Sequence, residues 1–118
     1  MNEARAHRER APRYPIRVSC ELTCGGDTFH AETRNLSTGG AAIRFEKELQ
    51  VGEVVTVSFF LTQDGIEDPD REPFECAASV RWTKPAGTGA FASGLQFLSP
   101  SNAQRDLLRD FIAQTERS

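Results

Sequence analysis

Apolar and polar residues alternate with a period of two along most of the chain, in short runs separated by turn residues. This alternation is typical of β-strands with one face toward a core and the other toward water. The apolar positions fall into six successive runs: Ile16 to Cys24, Phe29 with Ala31, Ala41 to Phe45, Val55 to Leu61, Phe74 to Trp82, and Leu95 with Phe97. The pattern therefore predicts six or so strands.

The segments between these runs have the composition of turns and loops. Gly25-Gly26-Asp27 predicts a tight turn, because glycine accepts positive φ without a Cβ clash. Val51-Gly52-Glu53 predicts a turn into a strand over residues 54–62. Residues 63–73 are rich in Asp and Glu and contain Gly65, Pro69 and Pro73, so we interpret them as a solvated hairpin connection.

The last segment changes to a helical period. Pro100 precedes Ser101, and Gln104 follows three residues later, which resembles the capping box at a helix start. Four apolar residues then recur at helical spacing: Leu107, Leu108, Phe111 and Ile112. We predict one amphipathic helix at about residues 101–114, docked on the β-structure because a single helix of this length is marginal alone.

No predicted helix separates the strands, which excludes parallel βαβ units and leaves an antiparallel sheet or a closed barrel. Closure removes exposed strand edges, so we predict an all-β fold, a small six-stranded antiparallel barrel with one C-terminal α-helix. The length of 118 residues fits one domain. We expect residues 13–118 to form the barrel domain and residues 1–12 a flexible basic arm.

Charge is unevenly distributed along the chain. Residues 1–17 hold five arginines and two glutamates, a net charge of +3, whereas the whole chain carries −3. The remainder must therefore carry −6. A basic arm on an acidic body suggests an anionic partner for the arm, with a solvated tail as the alternative.

The cysteines and histidines give no sign of a metal site, and the apolar profile gives no sign of a membrane-spanning segment. Cys20 and Cys24 lie four residues apart in a predicted strand and so share a face, which favours burial over ligation or a disulfide. His7 and His30 have no clustered partners, and we predict no metal site. Residues 1–10 lack the apolar centre of a secretory signal, and no apolar stretch has membrane-spanning length. We expect a cytoplasmic protein with no membrane partner.

Four features together resemble the PilZ family, from about residue 8 to residue 112. The arginine-rich arm ends in Arg13-Tyr14-Pro15-Ile16, directly before the first strand. Residues 35–40, Asn-Leu-Ser-Thr-Gly-Gly, match the family's (D/N)xSxxG signature at Asn35, Ser37 and Gly40. The third feature is the 49–53 turn, and the fourth is Val80-Arg81-Trp82 followed by residues 93–97 and the terminal helix.

The resemblance implies a six-stranded split barrel that binds the bacterial second messenger cyclic di-GMP. It implies ligand contacts at Arg8, Arg10 and Arg13 in the arm and at Asn35, Ser37 and Gly40 in the signature. We expect the side chains of Arg13 and Ser37 to lie on the surface. Arginine suits both guanine and phosphate, because its planar fork forms paired hydrogen bonds to either. The implied function is a receptor that orders its arm around the ligand and signals to a partner protein in trans.

The arm departs from the family's RxxxR motif. With Arg13 as the second arginine, Glu9 occupies the first position, flanked by Arg8 and Arg10. Arg13 and Arg17 also satisfy the spacing, although Arg17 would then lie inside the first strand. The departure supports an alternative function, a PilZ-like protein–protein adaptor that does not bind cyclic di-GMP.

Several residues have simpler interpretations. Residues 35–40 taken alone are equally suited to a strand-connecting turn. We interpret Trp82 as a core residue, and Arg44 and Arg81 as solvated. The sequence has no catalytic Ser/His/Asp or Cys/His arrangement, so we predict a protein that is not an enzyme. A sequence pI near 5.4 argues against nucleic-acid binding through the arm, and we expect a monomer or weak dimer.

Overall fold

The computed structural model of the chain describes residues 13–60, 62–63, 66–67 and 73–117. Eight strands and one helix lie in these ranges. In chain order they are β1 Ser19–Cys24, β2 Asp27–Leu36, β3 Gly40–Phe45, β4 Val54–Phe59, β5 Thr62–Gln63, β6 Ile66–Glu67, β7 Phe74–Pro85, β8 Phe91–Phe97 and α1 Asn102–Arg117.

Six of the strands close into a barrel in the order β1-β2-β3-β8-β7-β4, and every neighbouring pair is antiparallel. The predicted fold, a six-stranded antiparallel barrel with one C-terminal helix, is therefore confirmed. β4 ends at Phe59, three residues before the predicted end of that strand. The short strands β5 and β6 pair with each other within the predicted hairpin connection, outside the barrel.

The apolar face of each of the six barrel strands points into the barrel. Leu22, Ile43 and Val57 are fully buried, as their alternation predicted. Three phenylalanines fill the same core, with ring centroids 5.0 to 5.7 Å apart: Phe59, Phe74 and Phe97. Helix α1 packs against β7 and adds its buried side chains to this cluster: Leu108, Phe111 and Ile112.

Cys20 and Cys24 are buried on the inner face of β1, which confirms their interpretation as small core residues. Burial raises the pKa of the Cys20 thiol to about 12, and the carboxylates of Glu32 and Glu21 add to the rise. The thiol therefore stays protonated at neutral pH. In the part of the chain that the structure describes, no three His, Cys, Asp or Glu side chains come together as metal ligands.

The start of α1 forms half of the predicted capping box. The backbone N–H of Gln104 donates to Ser101 Oγ at 3.1 Å, so Ser101 caps the helix. The side chain of Gln104 does not return to the cap. Its Oε1 accepts a hydrogen bond from the backbone N–H of Glu75 at 2.6 Å, near the start of β7. This bond ties the first turn of the helix to the barrel. No helix among the described residues is long and apolar enough to cross a membrane.

The segment before β1 is held against β2 by both backbone and side-chain hydrogen bonds. Tyr14 and Leu36 exchange backbone hydrogen bonds of 3.0 and 2.9 Å. The buried hydroxyl of Thr33 donates to the Ile16 carbonyl and accepts from the Val18 N–H, both at 2.7 Å. The first strand therefore begins at Ser19 and not at Ile16, because a side chain supplies hydrogen bonds that a strand ladder would otherwise make.

Candidate functional site

The signature residues form the turn that joins β2 to β3. The N–H of Ser37 donates to the Gly40 carbonyl at 2.9 Å. Ser37 Oγ accepts from the N–H groups of Gly39 and Gly40, and it donates to the Gly40 carbonyl, each at 3.1 Å. Ser37 is only 4% exposed, so our expectation of a surface side chain was wrong. Its hydroxyl turns inward because the turn leaves backbone donors that need an acceptor.

Gly40 has a packing role in the structure. A Cβ at this position would overlap the backbone carbonyl of Leu95 in β8, so only glycine permits the observed approach of β3 to β8. Gly40 pairs with Gln96 in that ladder. The third signature position thus fixes how closely the signature turn lies to β8.

Arg13 lies beside this turn. It directly precedes Tyr14, whose backbone is bonded to Leu36, and its Nη1 donates to Asn35 Oδ1 at 3.0 Å. The end of the predicted arm and the first signature position are therefore in direct contact. Arg17, the other candidate for the second motif arginine, is exposed between the buried Ile16 and Val18.

A pocket of about 660 Å³ opens beside the turn. Two of the six predicted ligand-binding residues, Arg13 and Ser37, line it, whereas Asn35 and Gly40 lie next to it without lining it. Arg8 and Arg10 fall outside the described residues. The lining consists of Arg13, Ser37, Thr38, Gly39, Arg81, Trp82, Gly94, Leu95, Gln96, Phe97, Ser99, Pro100 and Arg105.

A β-bulge brings Arg81 and Trp82 to this pocket. Val80 pairs with Leu95 and Trp82 pairs with Gly94, so Arg81 is an extra residue between two consecutive pairs. Bulges of this kind re-aim side chains near functional sites. Trp82 is 36% exposed, and our interpretation of it as a core residue was wrong because strict alternation fails at the bulge.

The Trp82 indole lies directly on Gly94. A Cβ on Gly94 would overlap the indole ring, and the Lys84 ammonium lies 5.4 Å from the ring centroid. The sequence does contain a signal for this contact, since glycine inside a strand marks a place where another group approaches the backbone closely.

Arg81 and Arg44, both interpreted as solvated, occupy different surroundings. Both side chains are exposed, but Arg81 lines the pocket. Arg44 lies outside the pocket, and its guanidinium donates to the Ala86 carbonyl at 3.3 and 3.4 Å. The sequence placed both residues on outer faces correctly, but it could not show that one outer face borders a pocket.

The pocket is cationic. Three arginines line it, Arg13, Arg81 and Arg105, and its described lining contains no Asp or Glu. A concave surface lined by one sign of charge concentrates ligands of the opposite sign. The arrangement is suited to an anion with planar or hydrogen-bonding groups, because guanidinium groups, an indole ring and polar residues such as Gln96 line the same space.

A comparison with protein-family models matches residues 7–114 to the PilZ domain. The chain belongs to the PilZ domain family. The match covers the signature turn, the barrel and most of α1, and it includes residues 7–12 of the arm, which lie outside the described residues. The family recognition made from the signature and its spacing is thereby confirmed.

Solved structures share this PilZ fold. The inhibitor of motility MotI/DgrA of Bacillus subtilis aligns with a TM-score of 0.75 at 16% identity, over 94% of this chain and 52% of its own length. The PilZ domain of YcgR from Escherichia coli with c-di-GMP aligns with a TM-score of 0.72 at 19% identity, over 93% and 92%.

The PlzA protein of Borreliella burgdorferi in complex with c-di-GMP aligns with a TM-score of 0.62 at 12% identity, over 98% of this chain and 57% of that protein. The chain thus spans about half the length of MotI/DgrA and of PlzA. At these identities the likeness shows the fold alone. No curated protein sequence matched the chain in a parallel search.

Proposed function

We propose that this PilZ domain is a receptor for cyclic di-GMP. The observation that carries the proposal is that Arg13 and the signature turn meet at one cationic pocket of about 660 Å³. That volume lies within the range of small-molecule sites. Structures of two similar proteins, YcgR and PlzA, contain the same ligand.

Each predicted site residue has a role that its surroundings permit. Arg13 is exposed and can offer two parallel N–H donors to a guanine edge or a phosphate. Asn35 Oδ1 accepts a hydrogen bond from Arg13 in this structure, and it can accept one from a guanine N–H instead when the ligand is bound. Ser37 and Gly40 act by shaping the turn, since both are buried and bonded within it.

We assign Arg8 and Arg10 to the arm's share of the site. They lie five and three residues before Arg13 in the sequence, close enough to reach a ligand in this pocket. In this proposal residues 1–12 become ordered around the ligand, and the changed surface is presented to a partner protein in trans. The site binds its ligand and catalyses no reaction.

The alternative of a ligand-independent adaptor rests on Glu9. A carboxylate at the first arginine position would repel a phosphate, and losing one paired hydrogen bond costs about 1–3 kcal/mol. At about 1.4 kcal/mol per tenfold, that loss weakens binding from a few-fold to roughly a hundredfold. Binding need not be abolished, so the receptor proposal stands first.

Calorimetric titration of cyclic di-GMP into the purified protein and two arginine variants tests the proposal. We expect the unmodified protein to bind and Arg13→Ala to bind at least several-fold more weakly. Arg44→Ala is the matched control, because Arg44 is exposed and does not line the pocket. Absence of binding by the unmodified protein would overturn the receptor proposal in favour of the adaptor. Equal losses in both variants would show that total charge, and not the pocket, governs binding.

A further inference from the structure

The pocket has a part that neither the arm nor the signature supplies. We call Arg81, Trp82 and Arg105 the second wall; these residues come from β7 and from the first turns of α1. Both arginines are exposed. The cationic character of the pocket therefore depends on elements more than 40 residues away from the signature in sequence.

The two arginines of the second wall differ from two other exposed arginines, Arg44 in β3 and Arg109 in α1. Arg44 donates to the Ala86 carbonyl, and Arg109 forms an ion pair with Asp106 at 3.0 Å. Within the described ranges, the guanidinium groups of Arg81 and Arg105 form neither a hydrogen bond nor an ion pair with another residue. Two unpaired guanidinium groups at one pocket repel each other, and an anion between them relieves that repulsion.

Local structure fixes where both side chains start. Arg81 is the extra residue of the bulge between the Val80 and Trp82 pairs. Arg105 follows Gln104 directly, and Gln104 is held by the Ser101 cap and by the Glu75 N–H. A site built on anchored elements loses less conformational freedom on binding than one built on loops.

We propose that Arg81 and Arg105 bind a phosphodiester group of the ligand from the second wall. The inference rests on the proposed function, since cyclic di-GMP carries two phosphodiesters and Arg13 can contact only part of it. The planar fork of arginine matches a phosphodiester with two donors, which lysine cannot reproduce. Arg81 is therefore reassigned from a solvated residue to a ligand-binding residue.

Calorimetric titration of cyclic di-GMP into four variants tests this inference: Arg81→Gln, Arg105→Gln, Arg105→Lys and the double glutamine variant. We expect each single glutamine variant to bind about tenfold more weakly, as for loss of a charge-assisted hydrogen bond at an exposed site. Arg105→Lys should recover only part of the loss. Arg44→Gln and Arg109→Gln are matched controls that should bind like the unmodified protein, because neither residue lines the pocket.

The outcomes separate this inference from the receptor proposal. If the unmodified protein and both single glutamine variants bind cyclic di-GMP equally well, the inference about the second wall is overturned and the receptor proposal stands. Absence of binding by the unmodified protein would instead remove the receptor proposal. In that case we would titrate inorganic pyrophosphate and follow the arginine side-chain N–H signals by NMR. Selective shifts at Arg81 and Arg105 would keep the second wall as an anion site, whereas no shifts, or equal shifts at Arg44 and Arg109, would overturn it.

Discussion

Arg13 and Asn35, 22 residues apart in the sequence, are joined by a hydrogen bond of 3.0 Å from Nη1 to Oδ1. One residue ends the predicted arm and the other opens the signature. Their contact joins Arg13 to the first signature position, and a ligand that binds either residue changes the surroundings of the other.

A double-mutant cycle measures that coupling. Arg13→Ala and Asn35→Ala should each weaken cyclic di-GMP binding, and the double variant should lose less free energy than the two single losses added together. Residues in direct contact typically couple by about 0.5–3 kcal/mol. Calorimetry on the four proteins gives the coupling. Strictly additive losses would mean that the two side chains act independently on the ligand.

Ser37→Ala should destabilise the barrel as well as the site. The substitution removes the acceptor of two backbone N–H groups, and an unsatisfied buried group costs about 1–3 kcal/mol. Urea unfolding should show a loss of that size, accompanied by weaker ligand binding because the turn is no longer braced. Thr38→Ala is the control and should change stability by less than about 0.5 kcal/mol. A fully stable Ser37→Ala protein would contradict the bracing role.

Two glycines should respond differently to an added methyl group. In Gly94→Ala the new Cβ meets the Trp82 side chain, which can rotate away, whereas in Gly40→Ala it meets the Leu95 backbone carbonyl. Gly94→Ala should therefore keep the fold and change the emission of Trp82, the single tryptophan. Gly40→Ala should lower the free energy of unfolding by about 1–3 kcal/mol, because the added methyl group overpacks the contact between β3 and β8.

Fluorescence and urea unfolding on both glycine variants distinguish these effects. Gly25→Ala is a poor control because Gly25 has positive φ. Gly39→Ala is a suitable one, because its φ is ordinary and an added Cβ would make only an ordinary contact, with Ser37 Oγ at 4.0 Å. An unchanged emission spectrum in Gly94→Ala would contradict the contact between the indole and Gly94.

Glu9→Arg should strengthen cyclic di-GMP binding if Glu9 occupies the first position of the arm motif. The change removes a repulsive carboxylate and adds a paired donor that contributes about 1–3 kcal/mol, less the cost of ordering a long side chain. Glu9→Gln and Glu9→Lys control for the added positive charge, and lysine should recover only part of the gain. Unchanged affinity in calorimetry would show that Arg8, Arg10 or the Arg13–Arg17 register already fills the role.

The sequence predicted the barrel well because burial on a strand has a simple period. Leu22 and Val57 are fully buried and alternate with neighbours that are exposed or half-buried. The terminal helix was equally clear, since Leu108 and Phe111 have helical spacing behind a capping serine. In both cases a local pattern determines which face is buried.

The site was harder to predict because it depends on exceptions to that period. The bulge at Arg81 places Arg81 and Trp82 at one pocket, and a register shift of this kind is a property of two paired strands. Ser37 was expected on the surface, but it is buried because its hydroxyl bonds to backbone groups of its own turn. The sequence alone does not show these bonds. The convergence of Arg105 with the signature depends on how α1 docks, which no local pattern contains.

The paired backbone bonds between Tyr14 and Leu36 also determine the effective concentration of the arm at the pocket. Arg10 is three residues from Arg13, so its Cα can lie at most about 10 Å from that of Arg13. Short tethers of this kind give local concentrations in the millimolar range. In the proposed receptor, the contribution of the arm to ligand binding is therefore independent of how dilute the protein is. Cleavage after Pro12 would abolish this advantage even if every contact of the arm could still form, because the peptide would then have to bind as a separate molecule.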